Sequence, residues 1–186
     1  MAYTESNMMA LGTEAPSFTL PDTISGKMIT LIDVATDKGT VVMFICNHCP
    51  YVIHVNPEIV RLANDYQKQG VGFVAISSND VKHYPADAPD KMKTVASEAG
   101  YPFPYLYDET QAVAKAYDAA CTPDFYVFDG RKKLVYRGRL DDSRPNSGKP
   151  LTGKDLRAAL DAMLGGHEVE KKQYPSAGCN IKWKKD

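Results

Sequence analysis

The stretch VVMFICNHCPYV, residues 41–52, carries an apolar run into two cysteines, Cys46 and Cys49, and on into a helical pattern. Residues 40–45, TVVMFI, are branched or apolar with no polar alternation, as in a strand covered on both faces. Beyond Pro50, the residues Ile59, Leu62, Ala63 and Tyr66 recur at helical spacing, and Gly70 supplies a stop. Pro57 falls inside that helix, where a kink is expected. The reading is a central strand that runs through a dithiol into a helix.

That junction has chemical consequences. It puts Cys46 at or just before the helix N-terminus, where unpaired amides and the helix dipole favour an anion. Such a site lowers a thiol pKa from ~8.5 to roughly 3.5–7.5, and the thiolate is the species that attacks disulfides. Cys49, expected one turn deeper, is within reach to close a disulfide, so the pair can carry two electrons. His48 lies between them and is a candidate donor to the Cys46 sulfur, which would make the disulfide more oxidising. Its plainer reading is a solvated loop histidine.

The rest of the chain supplies the layers. Residues 71–78, VGFVAISS, form a second buried-type strand, and residues 88–100 a solvent-side helix ending at Gly100. A short strand follows, then a helix with Asp108 as its expected N-cap and Gln111 three residues on. DFYVFD and KLVYRGR alternate around Asp129-Gly130, a hairpin signal. Residues 152–166 read as an amphipathic helix with Thr152 and Asp155 as a capping pair. Near the start, SFTLPD and KMITLIDV flank a turn and predict an N-terminal hairpin. Strands joined through helices pair in parallel, whereas a tight turn forces antiparallel pairing, so the sheet is mixed and the class is an α/β sandwich. One domain is expected over residues 1–165, with 166–186 as a C-terminal tail.

Composition excludes several functions. With 22 Lys+Arg against 23 Asp+Glu in 186 residues, the net charge is -1, and no global field draws the chain to nucleic acid or anionic lipid. The terminal IKWKKD, with a single Trp, makes no stacking platform for bases. No stretch is long and apolar enough to span a bilayer. The first residues have neither a basic segment nor an apolar one of secretory type, so a cytoplasmic location is expected. Four cysteines are too few for a disulfide scaffold in a chain of this size, and their value is expected to be chemical.

FICNHCPYV after a buried strand, LGTEAPSFTLPD near the start and CTPDFYVFD before the hairpin together resemble the thioredoxin-like superfamily, in particular its peroxiredoxin-like AhpC/TSA branch. The resemblance spans about residues 11–164. It implies a thioredoxin-like sandwich, with a mixed central sheet flanked by helices and an N-terminal β-hairpin extension. It further implies a thiol-disulfide oxidoreductase in which Cys46 is the nucleophile and Cys49 the resolving thiol. Pro123 would be a cis-proline facing the dithiol, with Thr122 offering its backbone to a substrate strand. No cofactor and no resident metal follow. The partners would be a disulfide-containing protein or small thiol substrate and a thiol reductant, with the oligomeric state open.

The chain departs from the pattern in three places. Ile45 and Asn47-His48 replace the Trp and Gly-Pro common around a thioredoxin dithiol, so the potential does not carry over. Pro57 lies further along the helix than the thioredoxin proline. Met43 and Gly39 stand where a peroxidase of this branch needs a hydroxyl residue and a proline, which disfavours the alternative of a thiol peroxidase. A second alternative, a thioredoxin-like copper- or zinc-binding protein, meets the absence of any histidine between His83 and His167. His54 sits on the first long helix, two turns past Cys46. Among the remaining thiols, Cys121 is expected to pack as a small hydrophobe and Cys179 to lie on the tail, and both are candidates for a third redox thiol. Glu58, Asp141 and Asp142 are candidate proton acceptors.

Overall fold

In the computed structural model, residues 3–186 are described. The strand drawn from residues 40–45 is β4 (Thr40–Phe44), and all five of its residues are buried. It is the middle of a five-stranded sheet ordered β6-β5-β4-β8-β9, in which β5 is Gly72–Ser77, β6 Tyr105–Tyr107, β8 Asp124–Phe128 and β9 Leu134–Gly138. β5 runs parallel to β4 and β6 parallel to β5, while β8 is antiparallel to β4 and β9 to β8. The sheet is mixed because the first two links pass through helices and the last is the hairpin around Asp129-Gly130.

Side chains alternate along β4 into two cores. Val41, Met43 and Ile45 pack with α2 (Pro50–Gln67), α3 (Pro89–Ala99) and α5 (Lys154–Leu164) through Ile59, Leu62, Met92 and Leu160. Val42 and Phe44 face the other way, toward Phe18 and Leu20, Leu31 of α1 (Leu31–Val34), and Val113 of α4 (Ala112–Ala116). Burying such a side chain contributes about 1.5–3 kcal/mol, so both faces of β4 hold it in place. The expected N-terminal hairpin is β2 (Thr19–Pro21) with β3 (Met28–Thr30).

A second sheet has three strands, β1 (Tyr3–Glu5), β10 (Ala177–Asn180) and β7 (Cys121–Thr122), with β10 in the middle and antiparallel to both. The last residues are thus stitched to the body of the fold. Ile181 N–H donates to the Ala120 carbonyl at 3.0 Å, and Lys182 N–H to Asn79 Oδ1 at 2.9 Å.

Two helix starts differ from the sequence expectation. Asp108 does not cap α4 from the N-cap position, which Gln111 occupies in left-handed conformation, but its carboxylate still accepts from the Val113 and Ala114 amides. Thr152 and Asp155 form no capping pair. Gly153 is the N-cap of α5, and Asp141 accepts from the Thr152 and Gly153 amides at 2.8 and 2.7 Å. Asp141 thereby fixes the two residues that lead into the helix, and the Thr152 hydroxyl accepts from the Lys154 amide at 3.3 Å.

Candidate active site

The helix after β4 begins at Pro50, where its helical spacing begins, and that start leaves Cys46 outside its first turn. Pro50 is the first residue of α2 and Cys49 is its N-cap, so Cys49 rather than Cys46 occupies the helix entrance. Proline suits that first position because its missing N–H would have no partner there. Residues 46–48 instead form a short loop beyond β4, and the fold holds that loop from outside. Asn47 N–H donates to Asp87 Oδ1 at 2.8 Å, and its side chain donates to the Ala86 carbonyl and accepts from the Tyr105 hydroxyl.

Both sulfurs are buried, Cys46 being 1% and Cys49 0% exposed. Cys46 Sγ lies 3.5 Å from Thr122 Oγ1, and Cys49 Sγ lies 3.5 Å from the Thr122 carbonyl oxygen. The Thr122–Pro123 peptide is cis. Cys179 brings a third sulfur to within 2.7 Å of Cys49 Sγ. All four cysteines are thiols.

Of the two thiols, Cys49 is the one whose surroundings favour the anion. A hydrogen bond from the Cys46 thiol lowers the Cys49 pKa to about 5, with a second from Cys179, against the opposing effect of burial. The Val52 amide adds to this electrostatically without forming a side-chain cap. Cys46 is held well above its ordinary range by the hydrogen bond it gives to Cys49, by burial, and by the Asp87 carboxylate. The structure differs from the expected placement in one respect: Cys49, and not Cys46, stands at the helix entrance, with the Val52 amide beside it.

The close partner of His48 is an acid rather than the Cys46 sulfur. Its Nδ1 pairs with Asp87 Oδ2 at 2.6 Å, and its ring stacks on Tyr84 with centroids 5.9 Å apart. The contact is electrostatic, because Nδ1 lacks a well-directed hydrogen bond. Asp87 raises the His48 pKa despite partial burial. Burial pushes the Asp87 carboxyl up, but His48, Asn79 and the Asn47 amide outweigh it and hold the group below the usual carboxylate range.

The model of the AhpC/TSA family matches residues 11–137. The chain belongs to the AhpC/TSA family. It is similar to the thiol-disulfide oxidoreductase ResA of Geobacillus thermodenitrificans, 28% identical over 140 residues that cover 74% of this chain and 75% of that protein. Among solved structures, an uncharacterized conserved protein from Geobacillus kaustophilus is 64% identical with a TM-score of 0.98, covering 100% of this chain and 98% of that one. The thioredoxin domain of a thiol-disulfide oxidoreductase from Bacteroides vulgatus, at 19% identity and a TM-score of 0.60, shares the fold over 74% of this chain and 91% of that domain. The sandwich is thioredoxin-like.

Within this AhpC/TSA chain, the structure brings Cys46, Cys49, Thr122 and Cys179 together and leaves other expected residues outside. Cys121, 0% exposed, directs its thiol toward the Pro123 and Ser176 carbonyls at 3.8 and 4.0 Å, and burial drives its pKa far up. His54 Nε2 is engaged by Ser143 Oγ at 2.9 Å. Glu58 is bound by Arg61 and Arg157, and Asp142 by Lys149 and Lys154. The acid that the sequence did not disclose is Asp87, in a short 3₁₀ turn (Pro85–Asp87) before α3. Its only local signal is an acid in a rigid turn closed by Pro85 and Pro89, since the pairing with His48 joins residues far apart in the chain. The edge of Thr122 that the resemblance assigns to a substrate strand is taken by the chain's own β10.

Proposed function

We propose that this AhpC/TSA protein is a thiol-disulfide oxidoreductase in which Cys46 attacks a substrate disulfide and Cys49 resolves the mixed disulfide. The single observation that carries the reading is the buried pair of sulfurs seated on Thr122, Cys46 Sγ 3.5 Å from its hydroxyl and Cys49 Sγ 3.5 Å from its carbonyl oxygen, so that Thr122 can serve a proton on either thiol. When the proton sits on Cys49, that thiol donates to the Thr122 carbonyl and the Cys46 anion accepts from the Thr122 hydroxyl. Cys46 then attacks one sulfur of the substrate, and the released substrate thiolate takes the proton from Cys49. The Cys49 thiolate displaces the second substrate sulfur from Cys46, which leaves a Cys46-Cys49 disulfide for a thiol reductant to reopen. The similarity to ResA supports this activity. The substrates would be disulfides of proteins or small thiols, and the setting the reducing cytosol. No helix among the described residues is long and apolar enough to cross a membrane.

Neither sulfur is exposed, so exchange with an external disulfide proceeds at a rate set by opening of the cover over the site. The test is a pair of variants assayed with glutathione disulfide. Cys46→Ser is expected to lose exchange, and Cys49→Ser to accumulate a covalent adduct on Cys46. An adduct on Cys49 in the Cys46→Ser variant would reverse the roles, and unaltered exchange in both would refute the assignment.

One observation favours a second reading, metal binding: ligand atoms of Cys46, His48 and Asp87 all lie within 4.8 Å of one another. Zinc bonds of about 2.0–2.3 Å in tetrahedral array hold their donors more than 3 Å apart. His48 and Asp87, at 2.6 Å, would have to separate to admit an ion. Metal content of the purified protein decides between them: a stoichiometric metal lost in Cys46→Ser would support the second.

A further inference from the structure

Cys179 is the side chain that the proposed two-thiol cycle does not use, although it touches the thiol that closes that cycle. Its sulfur is 2.7 Å from Cys49 Sγ, closer than unbonded sulfurs ordinarily approach and longer than a disulfide bond of about 2.05 Å. The contact is built by the fold. β10 places Cys179 opposite Thr122 of β7 on one side and Tyr3 of β1 on the other. Its neighbour Gly178 lies against β7 so closely that a Cβ there would fall 2.0 Å from the Thr122 carbonyl oxygen. Beyond the strand, Ile181 and Lys182 fix the segment through backbone hydrogen bonds, and Cys179 itself is 3% exposed. This segment sits on the strand edge beside the dithiol, antiparallel, with a thiol aimed at the acceptor sulfur. It has the arrangement of a substrate already bound.

We propose that β10 is an internal substrate strand, and that Cys179 is a third redox thiol which takes over Cys49 from Cys46 by thiol-disulfide exchange inside the closed site. The inference rests on the proposed Cys46-Cys49 disulfide. In the step itself, the Cys179 sulfur attacks Cys49 Sγ, the Cys46-Cys49 bond breaks, and a Cys49-Cys179 bond forms. Cys46 leaves as a thiolate and receives the proton that Cys179 gives up. No oxidant beyond the disulfide that oxidised the pair is needed, because the two electrons are only redistributed among three sulfurs. In the reduced protein there is no disulfide to exchange, and burial, the hydrogen bond to Cys49 and the Cys49 charge together hold the Cys179 thiol up at about 12. Once Cys49 is in a disulfide, its anion is gone and the second and third of these causes go with it. The exchange therefore becomes available only after substrate has been consumed, and it returns Cys46 to the thiol state while Cys49 remains oxidised.

The full chain, oxidised with equimolar glutathione disulfide, acid-quenched, alkylated and mapped by mass spectrometry, tests this. The expected result is two linked species, Cys46-Cys49 and Cys49-Cys179, the second making up at least about a tenth of the oxidised protein in a ratio that further incubation leaves constant. Cys179→Ser should then show Cys46-Cys49 alone. Gly178→Val, checked for folding by circular dichroism, should lose the Cys49-Cys179 species and keep the other, since its side chain pushes β10 off β7. Cys46-Cys49 as the sole linkage in the wild-type protein would overturn the proposal and leave the oxidoreductase reading intact. Absence of Cys46-Cys49 from the Cys179→Ser variant would overturn both. Persistence of Cys49-Cys179 at its wild-type share in folded Gly178→Val would overturn the part assigned to the strand.

Discussion

Cys49 and Cys121 are both 0% exposed, yet one thiol is brought down to about 5 and the other is driven far above its ordinary range. Burial acts on both in the same direction, against the charged form. The difference lies in what faces each sulfur. Cys49 faces a carbonyl, that of Thr122 at 3.5 Å, but it meets the Cys46 and Cys179 thiols and the Val52 amide besides. Cys121, in a two-residue strand, meets the Pro123 and Ser176 carbonyls and the charge of Asp124. Acceptors around a thiol keep its proton on, and donors take the place of water around a thiolate. Burial alone suffices to hold Cys121 protonated, and a buried cysteine becomes reactive only where the groups turned toward it outweigh that burial.

The largest effect that sharpens this contrast is on turnover. Cys49→Ala is expected to lower disulfide exchange by on the order of a thousandfold, as loss of one member of a concerted pair does, whereas Cys121→Ala should stay within about twofold. A comparable loss in Cys121→Ala would break the distinction. Next comes the titration itself. Ultraviolet thiolate absorbance of the reduced protein should rise with a midpoint near 5, a step removed by Cys49→Ser and retained in Cys121→Ala. A first midpoint at the ordinary thiol value would show that the donors do not hold an anion.

Stability should carry the same signature. A folded-state pKa depressed below the unfolded value gives stability that is present above the unfolded pKa and is lost as pH falls through the folded one. The difference in unfolding free energy between wild type and Cys49→Ser should therefore grow from about pH 5 to about pH 8.5, by up to ~1.4 kcal/mol per pH unit, as read from urea midpoints. A pH-independent difference would refute it. The smallest effect is expected from Asp87→Asn. It removes the charge that raises both Cys46 and His48, so Cys46 ionises more readily and the His48 pKa falls. Exchange at neutral pH should change only a few-fold, with the His48 shift visible by nuclear magnetic resonance. An unmoved imidazole would dissolve the proposed pair.

Much of the frame is legible in the residues. Buried runs at 40–45 and 71–78 give β4 and β5, the Asp129-Gly130 turn gives the β8–β9 hairpin, and helical spacing gives α2 and α5. The helical run legible from Pro50 is α2, but its entrance is Cys49 and not Cys46, because residues 46–48 form a loop. What holds Asn47 and His48 out of the helix is Asp87, about forty residues away, with Asn79 behind it at 2.9 Å. The part played by residues 177–180 was equally hidden. Four short residues without strong alternation become a strand because β1 and β7 offer edges on both sides.

By itself the sequence determined that a dithiol follows a central strand and precedes a helix, because apolar periodicity and the positions of Pro and Gly act over a few neighbouring residues. The tertiary structure alone decided which sulfur stands at the helix entrance, which acid meets the histidine, and that a thiol near the C-terminus lies against Cys49. Those depend on groups brought together by packing, and electrostatics in a buried site follows distance through space and not separation along the chain.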